Sequence, residues 1–271
     1  MEQILNQPLV NTFSWLHVGA TKADVAAVPA EQEISLEEGE ERILIFETKD
    51  KGRKIKADLE AGSVLHIVEL QLEDGRMPAA SGIMNDIEVN LRDNAAFHWY
   101  RLVIGNGRTY DNCSVNLLGK GSSFTADIGY SLSGEGVYDV NCEAIHKGEE
   151  TTSTITASGL LSGKARKLLR GTIDLQKGCR HAVGNESEDV LLLSDEVSNQ
   201  SVPVILCAEE DVVGNHGASI GQPDENLLFY LESRGIPEEQ VMQMLSRAKL
   251  DAVIRKIPDE NIRKRLLGER E

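Results

Sequence analysis

Between Glu33 and Gly221 the chain is written in short runs of Val, Ile, Leu and Thr, each closed by a small or glycine-bearing turn. This rhythm restricts the fold more than any other feature. Ile43-Leu44-Ile45-Phe46, Val64 to Val68, Ile87 to Leu91, Ala96 to Tyr100, Ser114 to Leu118, Gly171 to Leu175 and Val190 to Leu193 are each too brief for a helix, and they read as strands. Turns fall between them at 60–63, 92–95, 119–122, 146–149, 162–165, 176–179 and 194–196. Gly121, Gly148, Gly163 and Gly178 are separated by 27, 15 and 15 residues, the drifting period of a coiled β-solenoid. A β-sandwich also uses many short strands. With only 4% aromatic residues, the narrow core of stacked rungs is the better match. The expected class is mainly β: a β-helix core over residues 33–222.

Both flanks are written differently. Residues 1–32 are poorly patterned and read as an N-terminal arm, with Trp15 an amphipathic anchor that packs against the body. Residues 223–271 read as a small C-terminal helical domain. Pro223-Asp224-Glu225, Pro237-Glu238-Glu239 and Pro258-Asp259-Glu260 each open a helix, and Gly235 stops the first. In the second, Val241, Met244, Leu245 and Ala248 share one face.

The 271 residues are enough to bury a core without disulfides or a structural metal. With 28 Lys and Arg against 44 Asp and Glu, the net charge of −16 repels phosphate backbones and anionic lipid, so neither nucleic acid nor a membrane is an expected partner. Met1 to Val10 has no basic start and no long apolar run follows, which points to the cytoplasm. Cys113, Cys142, Cys179 and Cys207 form no CxxC pair and read as free thiols, Cys207 as core packing in the run after Val204. There is no GxxxxGK[ST], so ATP enters only through a partner.

From Leu160 onward one set of segments is more specific. Leu160 to Ala165, Arg170 to Ile173, Val190 to Leu193, Ser201-Val202-Pro203, Glu209 to Val212, Asn215 to Gly221 and Leu228 to Ile236 follow in an order and spacing that resemble the SufB/SufD family. The resemblance is diagnostic over about a third of the chain, and His146 before Thr151-Thr152-Ser153-Thr154 fits it. It implies a β-helix with a helical C-terminal domain, acting as the non-catalytic scaffold of the SUF iron–sulfur cluster machine. It further implies a SufC-type ATPase docked on the helical tail, and a SufB-like subunit or second copy paired with the core. The cofactor implied is a transient iron–sulfur cluster or iron. Two departures place the chain nearer SufD than SufB. Glu188 stands where SufB carries a cysteine, and Gly217 follows the histidine where SufB has an acid. A cysteine that many SufD members carry two places before that histidine is Gly214 here, and most of the long N-terminal region of larger members is missing.

The candidate ligand for iron or cluster is His216, whose glycine neighbours Gly214 and Gly217 leave the imidazole unshielded. A second half-site is Cys179 with His181, two apart and on one face if they lie on a strand. The residues implied for ATPase docking are Leu228, Phe229, Tyr230, Ile236 and Leu245. The alternative is a carbohydrate-binding or polysaccharide-lyase-like solenoid, which needs paired carboxylates and aromatic platforms along a groove. Here the acids read as a solvated face and the aromatics are dispersed.

Overall fold

The computed structural model describes residues 2–10, 18–26, 30–48, 51–72 and 81–268. The chain is mostly β, a solenoid of about six turns followed by three short helices. Its odd-numbered strands are β3 (Gln32–Leu36), β5 (Arg53–Leu59), β7 (Ile83–Leu91), β9 (Arg108–Leu117), β11 (Val137–His146), β13 (Arg166–Leu175) and β15 (Ser198–Cys207). Between them run β4 (Glu41–Glu47), β6 (Val64–Gln71), β8 (Ala96–Gly105), β10 (Ser123–Leu132), β12 (Thr152–Leu161), β14 (Val183–Leu192) and β16 (Val213–Gly221). Odd strands form one seven-stranded sheet and even strands the other. Every pairing within the two sheets is parallel and between successive turns, as between Ser123 and Thr152. A sandwich would pair its strands antiparallel, so parallel register decides for the solenoid.

The corners explain the drifting glycine period. Gly39, Gly62, Asn94, Gly121, Glu150 and His181 occupy one corner of successive rungs, all with φ between 55° and 71°. Their amides form a ladder: Gly62 donates to the Asp93 carbonyl at 2.8 Å, Asn94 to Lys120 at 2.8 Å, Gly121 to Glu149 at 2.9 Å, Glu150 to Arg180 at 2.8 Å and His181 to Asp211 at 2.6 Å. Gly148 and Gly178 belong to this edge, one full rung apart. Gly163 turns the opposite edge, so each step of 15 is half a rung.

Within the solenoid, alternate side chains meet between the sheets. Ile34, Leu59, Leu65, Ile87, Phe97, Val115, Phe124, Ile128, Ala157 and Leu169 belong to one continuous apolar core, with the Phe97 and Phe124 rings stacked at 5.6 Å. The buried Arg101 and Asp111 pair at 2.6 Å in the same interior.

The flanks pack on the outer faces. β1 (Glu2–Leu5) and β2 (Thr21–Asp24) form an antiparallel pair whose Leu5 and Ala23 cover Tyr110. Arg170 ties this segment down, donating to the Val18 carbonyl at 2.7 Å and to Asp139 at 2.5 Å, while Asn6 also donates to Asp139 at 2.6 Å. Trp15 lies outside the described residues. At the other end are α1 (Glu225–Ser233), α2 (Glu238–Ile254) and α3 (Glu260–Leu267). Asp224 accepts from the Asn226 amide and Asp259 from the Ile262 amide, capping α1 and α3. Ile254, Ile257 and Leu267 close over Val68, Leu70, Tyr100 and Leu102, so the tail folds back along the even sheet. Gly129 permits this approach, since a Cβ there would meet Val253 at 3.3 Å and Leu102 at 2.9 Å. Of the four α2 residues expected to share a face, Val241 is buried and Leu245 half-buried, whereas Met244 and Ala248 face water.

Candidate functional site at the open end of the solenoid

The last rung, β15 and β16, has no rung beyond it among the described residues. Side chains that would be core one turn earlier therefore face out. His216 pairs in register with Glu186, and Ala218 with Glu188, so these positions share one face of β14 and β16. Glu186 and Glu188 are buried, while His216 is exposed. Cys207, expected in the core, is exposed: its partner Leu175 on β13 is buried by the rung above, but nothing covers β15. Its thiol donates to the Glu209 carbonyl at 3.1 Å.

Beneath this rung the interior holds a further set of ionisable groups. Glu188 is 5% exposed and receives Lys167, Ser201 and, at 3.2 Å, the Tyr130 hydroxyl. Lys167 also donates to Ser201 at 3.1 Å. Burial lowers the Lys167 ammonium, against the pull of Glu188. Glu186 reaches across to the opposite sheet, where Gly171 makes room; a Cβ there would lie 2.2 Å from its carboxylate oxygen. Its Oε2 is buried with no hydrogen-bond partner. Desolvation, then the neighbouring Glu188 charge, push Glu186 up to about 7 despite Lys167. The open end thus presents an imidazole and a thiol above a lumen holding a carboxyl that titrates near neutrality.

Cys179 and His181 differ in setting, the first buried and the second exposed. Both residues lie in the corner between β13 and β14 and not on a strand, so they share no face. Cys179 is buried with Ile173, Leu175 and Ala182, and burial raises its thiol. His181 holds the corner at φ 61° and pairs outward with Asp211 at 3.1 Å. His146 is a satisfied core histidine, bonded to the Thr151 and Ser153 hydroxyls at 2.8 Å each and lowered by burial to about 4. Among the described residues no group of three or more His, Cys, Asp and Glu is arranged to hold a metal, at His216 or elsewhere.

On the helical tail, α1 has no buried residue. Phe229 is 73% and Tyr230 52% exposed, with Leu227 and Met244 also open. Leu228 turns toward the solenoid, where it lines a crevice with Leu192, Leu193 and Met242. Ile236 and Leu245 are half-buried. The five residues expected to dock an ATPase thus divide into two open rings and three partly buried side chains.

Residues 22–249 match the family model described as SUF system FeS cluster assembly, SufBD core domain. The chain belongs to the SufB/SufD family. The iron-sulfur cluster assembly protein SufD of Bacillus subtilis (strain 168) is 27% identical over 175 residues, which cover 65% of this chain and 40% of that protein. Iron-sulfur cluster assembly SufBD family proteins of Staphylococcus epidermidis (strain ATCC 12228 / FDA PCI 1200) and Staphylococcus aureus (strain USA300) are each 28% identical, over 63% and 62% of this chain and 37% and 36% of those proteins. The matched region thus spans about two fifths of the length of these SufBD relatives. No helix of the described residues is long and apolar enough to cross a membrane.

Missing from the sequence reading was the charged lumen. Its signal was Glu186 and Glu188 alternating in phase with the apolar Val190, which places all three on one face of a strand.

Proposed function

We propose that the chain is a non-catalytic, SufD-like scaffold subunit of cytoplasmic iron–sulfur cluster assembly. It pairs through its open rung with a SufB-like subunit or a second copy, and it docks a SufC-type ATPase on α1 and the turn after it. The observation that carries this reading is the exposed rung β15 and β16, with His216 standing over the ionisable lumen. An uncovered strand edge is a template for another chain, and a globular protein rarely leaves one bare. A partner seated there supplies the ligands that His216 lacks and encloses the iron or cluster, which is cargo and not a resident group. The exposed Phe229 and Tyr230 rings are the kind of anchors that dominate protein interfaces. They sit on a helix and not along a sheet groove, where a sugar-binding platform would need them. Any ATP hydrolysis is the partner's.

Co-expression with SufB-like and SufC-type proteins, followed by size exclusion with mass detection, tests the reading. A stable complex containing all three chains is expected. A chain that elutes alone in the presence of both overturns it.

A further inference from the structure

A second polar feature reaches the start of the open rung, at Ser198 and Gln200 of β15. On the outer face of the odd sheet, a groove of about 510 Å³ opens between the docked N-terminal segment and the first residues of β9, β11, β13 and β15. Arg108 and Arg166 stand at the starts of β9 and β13, each in register with Val137 of the strand between. Two strand spacings put their Cα atoms about 10 Å apart, a separation over which two long side chains converge on one ligand. Neither guanidinium has a hydrogen-bond or ion-pair partner in the described structure, although the chain carries sixteen more acids than bases. Lys164 joins them from the preceding turn, held only loosely by the exposed Glu196 at 3.6 Å.

The remaining charges lining the groove are largely neutralised internally. Asp139 is taken by Arg170, Asn6 and Thr21, and Lys167 by Glu188. That leaves Arg108, Arg166 and Lys164 against Glu135 and Glu196, a local surplus of one positive charge on a strongly acidic molecule. A local surplus of positive charge attracts anions. Gln200 and Ser198 add neutral polar side chains along the wall. The volume is that of a site for a small organic molecule.

We propose that this groove binds a small polyanion bearing phosphate or carboxylate groups, clamped between Arg108 and Arg166 with Lys164 at the rim. Guanidinium forks match both oxyanions in bidentate geometry. The N-terminal segment forms one wall through Thr21, so a bound polyanion braces the arm against the sheet.

Isothermal titration calorimetry of the full chain with pyrophosphate and with citrate tests this and separates the two chemistries. Binding of at least one is expected, weakening as NaCl rises from about 50 to 200 mM. Arg108→Glu with Arg166→Glu should weaken it tenfold or more. The same charge change at the exposed Arg92 and Arg180, on the opposite edge of the solenoid, should alter it less than threefold. All four side chains are exposed, so the variants fold. Absence of binding by both probes, or equal loss in the two double variants, overturns the proposal.

Discussion

Replacing Glu186 by Gln should stabilise the isolated chain, and by an amount that depends on pH. In the folded state burial and Glu188 hold this carboxyl at about 7, against an ordinary value of 4.5. Between these values the folded chain binds more protons than the unfolded one, so stability falls as pH rises through that window. Below pH 4.5 both states are protonated and the penalty vanishes. Above pH 7 it is complete, and 2.5 units at 1.36 kcal/mol each give about 3 kcal/mol. Gln keeps the shape and removes the charge. Glu186→Gln should therefore exceed wild type by roughly 2–3 kcal/mol at pH 8, with the difference shrinking toward zero or below at pH 5. The loss at the amide of whatever hydrogen bonding the protonated acid makes sets the lower figure. Urea denaturation followed by far-UV circular dichroism at both pH values measures it, with an unchanged m-value showing that the same transition is compared. A difference of equal size at pH 5 and pH 8 would refute the reasoning, because it would show that Glu186 does not titrate between them.

Other outcomes follow from the same geometry. His181→Gly should raise stability by about 1 kcal/mol, since glycine adopts the left-handed corner at no cost and the exposed pair with Asp211 contributes little; calorimetric Tm of the two chains checks this. Gly129→Val should push α2 off the even sheet at a cost of roughly 1–3 kcal/mol, seen as faster amide exchange across Leu250 to Ile257. Phe229→Ser with Tyr230→Ser should leave the Tm of the chain within a degree or two, yet weaken SufC capture at least a hundredfold in a binding titration, as expected for loss of two aromatic anchors.

How far these features were legible varies with the physics behind each. Strand positions and glycine corners stand plainly in the text, because apolar runs and Gly121 or Gly163 are demanded locally by a solenoid. Glu150 and His181 hide the same corner, for there the rung-to-rung amide ladder imposes a positive φ on residues that do not ask for it. That is why His181 resembled a ligand. Cys207 misled in the opposite sense: its apolar neighbours suggest a core, but only the place of its strand in the stack decides whether anything lies above it. The lumen was obscured by composition. On so acidic a chain a carboxylate reads as surface, and only its phase with Val190 tells that Glu186 points inward. An arm packed on the body was legible, but the residue that ties it down was not, since Arg170 meets Val18 across 152 residues of sequence.

The most direct test of the scaffold reading is the iron and sulfide content of the co-purified complex, compared between wild type and His216→Ala. His216 is exposed in the isolated chain, so the substitution leaves folding intact, and size exclusion of the variant shows that assembly is kept. An intact complex whose iron falls at least severalfold in the variant is the predicted result. An intact complex with unchanged iron would contradict the placement of the cluster at the open rung.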